Sequence, residues 1–204
     1  MININDEDFL VYGFNRSGKT LVYNFLKHCV DGYNACFHDV YHDLPYEKQF
    51  IKKVATIRHP VAMFGSKLKL EGKLDISLGY DLFFQEFTQF EMYLSCLKKR
   101  LAKYNDLHVL KYENYKDNFS FLKSFFLDNY NIPTNEDNFS NFVNNFNVIN
   151  VTYFIDKEMH MYDKGNVSNT EGLNTPYDVF FNENNLLKNE LEAVCNSFDY
   201  AVDW

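Results

Sequence analysis

The sequence of 204 residues predicts one α/β domain with a central, mostly parallel sheet flanked by helices. Three observations carry that prediction. Short apolar runs rich in β-favouring residues alternate with longer stretches whose apolar residues recur at helical spacing. Strands that alternate with helices build parallel sheets covered on both faces. No repeat and no linker of Pro, Gly or Ser divides the chain, and its length suits one core better than two. Residues 1–204 are therefore read as a single domain.

Phe9 to Tyr12 is a short apolar run closed by Gly13, read as a buried strand. From Gly18 the period changes. Leu21, Val22, Phe25, Leu26 and Cys29 recur at helical spacing, and Gly32 follows as a stop. "NACFHDV" is a weak second strand. "KKVATIRHP" is a stronger one, because Val54 to Ile57 favours β structure and Pro60 removes a backbone donor. Residues 61–70 and 80–104 read as helices, and "LHVLKYE" (107–113) as a further strand. A helix is expected over about 115–130, then an Asn-rich irregular region and a loop, "KEMHMYDKGNVSNTEGLNTP". A last helix is expected from about Pro176 to Phe198, with proline near its start, where it is tolerated.

The composition narrows the functional classes. Hydrophobic residues at 46% and charged residues at 24% are ordinary for a globular domain. A net charge of −8 disfavours a nucleic acid or an anionic membrane as a whole-surface partner, while leaving room for a local basic pocket. The four cysteines, at 29, 36, 96 and 195, form neither a zinc pattern nor a disulfide framework, and are expected to be reduced. "MININDEDFLVYG" is acidic and polar ahead of the first strand, unlike a secretory signal, and no apolar run reaches membrane-spanning length. A cytoplasmic protein without a membrane span is the expectation.

One stretch carries chemistry directly. In "VYGFNRSGKTLVYNF", Gly13, Gly18, Lys19 and Thr20 satisfy G-x-x-x-x-G-K-[ST] between a strand and a helix. Backbone N–H groups of such a loop and of the helix start converge on one point, where the helix dipole also favours an anion. Glycine lets the main chain approach closely, and Lys19 adds a compact positive charge. The four fixed positions coincide by chance in roughly one chain in a hundred of this length. A triphosphate site would also need Mg²⁺, held by Thr20 and an acidic residue at the end of a buried strand. Glu113 and Asp39 are the available carboxylates, and neither closes a strongly hydrophobic run.

"IRHPVAMFGSK" places Arg58 at a strand end and Ser66 eight residues later, a spacing that lets both face one ligand across the turn at 59–61. The planar, permanently charged fork of arginine suits a phosphate.

Together these segments resemble the sulfotransferases that use 3′-phosphoadenosine-5′-phosphosulfate (PAPS). "GFNRSGKT" is similar to their 5′-phosphosulfate loop, G-x-x-R/K-S-G-T-T, and "RHPVAMFGS" to their 3′-phosphate motif, R-x-P-x-x-x-x-x-S. "VLKYENY" resembles their strand ending in Tyr-Glu, and "DKGN" their late R-K-G segment. The resemblance runs from about residue 9 to 200 and implies a three-layer P-loop fold. It implies that Arg16 touches the phosphosulfate and that Ser17, Gly18 and Thr20 bind the 5′-phosphate. Arg58 and Ser66 would hold the 3′-phosphate, Lys164 and Gly165 would close over it, and Tyr112 would lie near the nucleotide. Two positions depart from the family: Lys19 stands where a threonine is usual, and Asp163 where a basic residue is common.

Sulfuryl transfer needs a base for the acceptor proton and cations for the leaving phosphate. "FHDVYHDLPY" resembles the family's T-H-L-P-Y segment and offers His42 or Asp43. Alignment on Leu44-Pro45-Tyr46 favours Asp43, and titration near neutrality favours His42. The reaction so implied consumes PAPS, needs no metal, and sulfates a small-molecule or glycan acceptor through a hydroxyl or an amine. Its alternatives are a small ATP- or GTP-dependent kinase or NTPase, in which Lys19 is a Walker lysine, and a nucleotide-binding module without catalysis.

Overall fold

Strand β1 (Phe9–Gly13) is buried along its whole length, as a strand sandwiched between helices must be. The computed structural model describes residues 9–14, 16–33, 35–38, 52–60, 62–63, 76–145, 189, 192–193 and 195–200. Two strands flank β1 in parallel: β2 (Ala35–His38), with Ala35 opposite Phe9, and β3 (Lys52–Ile57), with Thr56 opposite Gly13. β4 (Leu107–Lys111) continues the sheet beyond β3, Lys111 lying opposite Ile57. The order is β2-β1-β3-β4. After β1 the chain first moves to one side of that strand and then returns to the other. Such a reversal opens a crevice at the carboxyl ends of β1 and β3, the place where ligands bind in sheets of this kind.

The helices follow in chain order: α1 (Lys19–Cys29), α2 (Ile76–Lys103), α3 (Tyr112–Tyr115), α4 (Phe119–Tyr130) and α5 (Glu136–Asn145). Successive residues of a strand serve opposite faces of the sheet. Phe9, Val11, Val54 and Leu110 join one core with α1, α4 and α5. Within it the rings of Phe25 and Phe126 stack at 5.6 Å, and Phe142 meets Phe25 edge-on at 6.0 Å. On the other face, Tyr93, Leu94, Leu97 and Arg100 of α2 are buried, at the spacing of one helical stripe. There the Arg100 guanidinium lies 5.1 Å over the ring of Tyr12, and the Tyr93 hydroxyl donates to the Thr56 carbonyl at 2.9 Å.

The predicted strands and the helix after the glycine loop are all present. Three helical expectations are revised. α2 begins at Ile76 rather than about residue 80. The helix expected over about 115–130 begins at Phe119, because Asn118 adopts an extended φ of −139° and its carbonyl accepts from Phe121 N–H, while the strand expected to reach residue 113 stops at Lys111 and gives way to α3. α5 falls where an irregular Asn-rich region was expected. Phe139 and Phe142, one turn apart, give it a face for the core, and Glu136 and Asp137 suit its first turn. Of the helix expected over 61–70, residues 62 and 63 are helical and the rest lies outside the described residues. Of the last expected helix, the described part reaches Asn196 and ends in a turn at 197–199.

Cys29, Cys96 and Cys195 are free thiols, and burial pushes the Cys29 and Cys195 thiols up to about 12, where they are unreactive. Among the described residues no helix is long and apolar enough to cross a membrane.

Candidate functional site

The loop between β1 and α1 is built by close approach. A Cβ on Gly13 would overlap Thr56 Oγ1, Ser17 Oγ at 2.5 Å and Lys19 Cγ at 2.8 Å, so the site admits only glycine without rearrangement. Ser17 N–H donates to the Phe14 carbonyl at 3.1 Å, and Arg16 (φ 69°) and Gly18 (φ 92°) are left-handed. These two residues turn the chain so that α1 starts at Lys19. Its N-cap, Gly18, provides no side-chain cap, and the first turn carries no acidic residue. The positive end of the helix is thereby not offset by a capping or acidic side chain of its own first turn, and an anion could be received there.

Strand β3 presents a hydroxyl and a guanidinium to this loop. Thr56 Oγ1 donates to the Tyr12 carbonyl at 3.2 Å, so at 2.8 Å the Ser17 hydroxyl is the donor to Thr56. Ser17 is wholly buried and braces the loop against β3. Two residues on, Arg58 is 7% exposed, and its Nη1 donates to the Arg16 carbonyl at 3.4 Å. The guanidinium also lies 4.8 Å over the ring of Tyr112, which opens α3 directly after β4. Among the described residues no carboxylate pairs with Arg58.

Burial dominates the electrostatics around this loop. Burial, and then the nearby charge of Arg58, pull the Arg16 guanidinium below its ordinary value. Burial lowers the Lys19 ammonium to about 7. Burial raises the Tyr112 phenol, with Arg58 opposing, and raises the Tyr115 phenol further, so both stay protonated. The Tyr115 hydroxyl closes the underside of the loop, donating to the Ser17 carbonyl at 3.5 Å. The Arg16 and Arg58 guanidinium groups thus lie close enough to disfavour each other's charge, and Lys19 is buried at the start of the adjoining helix.

Glu113, weighed above as a magnesium ligand, has both oxygens engaged. Oε1 accepts the His59 N–H at 2.8 Å and Oε2 accepts the Tyr200 hydroxyl at 3.0 Å. Among the described residues no three His, Cys, Asp or Glu side chains gather as a metal site.

Arg16, Ser17, Gly18, Lys19, Thr20, Arg58 and Tyr112 are therefore brought to one end of the sheet. His42, Asp43, Ser66, Lys164 and Gly165, with Asp39, lie outside the described residues. Sequence reasoning missed Thr56 and Tyr115. Thr56 left one trace, a hydroxyl residue within the apolar run Val54 to Ile57. Tyr115 left none, since its role depends on how α3 folds back under the loop. Compared with protein-family models, curated proteins and solved structures, the chain finds no match.

Proposed function

We propose that this chain is a PAPS-dependent sulfotransferase built on a three-layer P-loop fold. The observation that carries the reading is the placement of Arg58. A guanidinium with no carboxylate partner among the described residues stands at the end of β3, one of the two strands beside the phosphate loop and a position from which a triphosphate enzyme could present a carboxylate to Mg²⁺. A donor with two separate anionic ends suits two cationic anchors on adjacent strand ends. The loop, with Arg16, Lys19 and the start of α1, would take the 5′-phosphosulfate, and Arg58 with Ser66 the 3′-phosphate.

PAPS supplies a sulfuryl group on a phosphate leaving group. An acceptor hydroxyl or amine attacks the sulfur, the bond from sulfur to the phosphate oxygen breaks, and negative charge collects on that oxygen. Arg16, Lys19 and the positive end of α1 stabilise this charge, while His42 or Asp43 takes the acceptor proton. The nucleoside-triphosphate reading draws on one feature, Lys19 within a complete G-x-x-x-x-G-K-T loop.

Calorimetric titration with adenosine 3′,5′-bisphosphate and with adenosine 5′-monophosphate separates the two anchors. Arg58→Ala is expected to weaken the bisphosphate by about 10- to 100-fold, the cost of a lost charge-assisted contact, and to leave the monophosphate within about threefold. Equal losses for both ligands, or no bisphosphate binding by the wild type, would remove Arg58 from the 3′-phosphate and the donor from the reading.

A further inference from the structure

Segment 195–200 is latched to the turn that carries Arg58. Cys195 ends a helical turn, its carbonyl accepting from both Phe198 N–H and Tyr200 N–H at 3.0 Å, and Asp199 (φ 55°) swings the chain inward. Tyr200 is consequently buried, at 8% exposure. Its hydroxyl donates to Glu113 Oε2 at 3.0 Å, and its ring meets the His59 ring edge-on at 5.4 Å. Lys111 holds the same segment twice, donating from Nζ to the Asp199 carbonyl at 3.2 Å and lying 4.8 Å over the Tyr200 ring. The other oxygen of Glu113 accepts the His59 N–H at 2.8 Å.

That N–H belongs to the peptide plane joining Arg58 to His59. The peptide unit is planar, so anchoring its N–H restrains the chain on the far side of the Arg58 Cα and limits how far that residue can shift relative to Tyr112. Pro60 follows, with no N–H of its own and a ring that confines His59 to extended conformations. The His59 carbonyl accepts the Met63 N–H at 3.0 Å on the far side of the turn, and Glu113 holds the Arg58–His59 plane itself. Glu113 is also the chain neighbour of Tyr112, whose ring lies under the Arg58 guanidinium. One carboxylate thus ties together both halves of the Arg58–Tyr112 pair, and Tyr200 ties down the carboxylate.

We propose that Tyr200, acting through Glu113, is a positioning residue that fixes the Arg58 guanidinium over Tyr112 for its anion. The proposal rests on the reading of Arg58 as an anion ligand. The Tyr200 phenol is suited to the task, since burial and then the Glu113 charge push it well up and keep its proton in place for donation.

Tyr200→Phe keeps the ring packed on His59 and Lys111 and deletes only the hydroxyl. The first readout is the ¹⁵N-bound Nε–H resonance of Arg58 in the ligand-free full chain, displaced in the wild type by the ring current of Tyr112. In Tyr200→Phe that displacement is expected to shrink, and in Glu113→Ala to vanish. The second readout is affinity for adenosine 3′,5′-bisphosphate. Tyr200→Phe is expected to lower it about tenfold with the monophosphate unchanged, and to add nothing once Arg58 is alanine. An unmoved Arg58 resonance in Tyr200→Phe, or losses that simply add to those of Arg58→Ala, would overturn the proposal and leave Tyr200 a packing residue. The resonance is read without ligand, so it judges the positioning even if the wild type ignores the bisphosphate and the sulfotransferase reading falls.

Discussion

Lys19→Met is expected to raise the melting temperature of the ligand-free protein at pH 7 and, on the proposed reading, to abolish its response to phosphate-bearing ligands. Both effects follow from one buried ammonium. In the unfolded chain Lys19 titrates near 10.5, and in the fold burial lowers it to about 7. Between those values the unfolded state binds more protons than the native state, so wild-type stability climbs as pH rises from about 7 towards 10 and is level below 7. Methionine has a similar length and no charge, and it removes this penalty together with its pH dependence. At pH 7 the gain is expected to be roughly 1–3 kcal/mol, which for a chain of this size is a shift of several degrees. The difference in melting temperature between variant and wild type should then shrink between pH 7 and pH 9. A lower melting temperature for the variant at pH 7 would mean that Lys19 is held by interactions that outweigh its burial.

Gly18→Ala is the other large effect, with the opposite sign. Gly18 has φ 92°, and a Cβ there would strike the Tyr112 ring and approach the Tyr115 hydroxyl to 2.6 Å. The left-handed conformation alone costs an L-residue roughly 1–2 kcal/mol. The collision adds to it, because Tyr115 is fully buried and Tyr112 is held against Arg58, so neither ring can yield cheaply. A loss of roughly 2–4 kcal/mol is expected, together with loss of ligand binding, since the displaced rings carry the Arg58 anchor and the underside of the loop. Gly32→Ala is the control. Its φ is 80°, and a Cβ there meets nothing within 4 Å, so it reports the backbone strain alone. Equal costs at the two glycines, measured by denaturant unfolding, would show that the rings move aside.

The parallel sheet and the glycine turn from β1 into α1 were legible in the sequence because both rest on local pattern. An apolar run closed by Gly13, and a change to helical spacing after Gly18, fix a strand, a turn and a helix without long-range information. α5 was hidden because asparagine is a poor helix former, and its helix depends on docking Phe142 against Phe25 rather than on its own residues. Arg58 could be singled out from its position before His59-Pro60, but its nearness to Arg16 required the pairing of β3 with β1. Thr56 and Tyr200 act across 39 and 87 residues, through Ser17 and Glu113, and no local pattern encodes such contacts. Glu113 was read as a carboxylate at the end of a strand, but the strand stops at Lys111 and Glu113 sits in the first turn of α3. Its engagement by a backbone N–H and a phenol, however, is a property of the folded turn.

Thermal unfolding with adenosine 3′,5′-bisphosphate, and separately with ATP, each with and without Mg²⁺, tests the sulfate-donor reading most directly. A ligand at about a hundred times its dissociation constant adds about 2.7 kcal/mol, a shift of roughly 5–10 °C for a domain of this size. The expected result is stabilisation by the bisphosphate that does not depend on Mg²⁺ and disappears in Arg58→Ala. Stabilisation by ATP only when Mg²⁺ is present, with no response to the bisphosphate, would contradict the reading and make Lys19 the lysine of a nucleoside-triphosphate site.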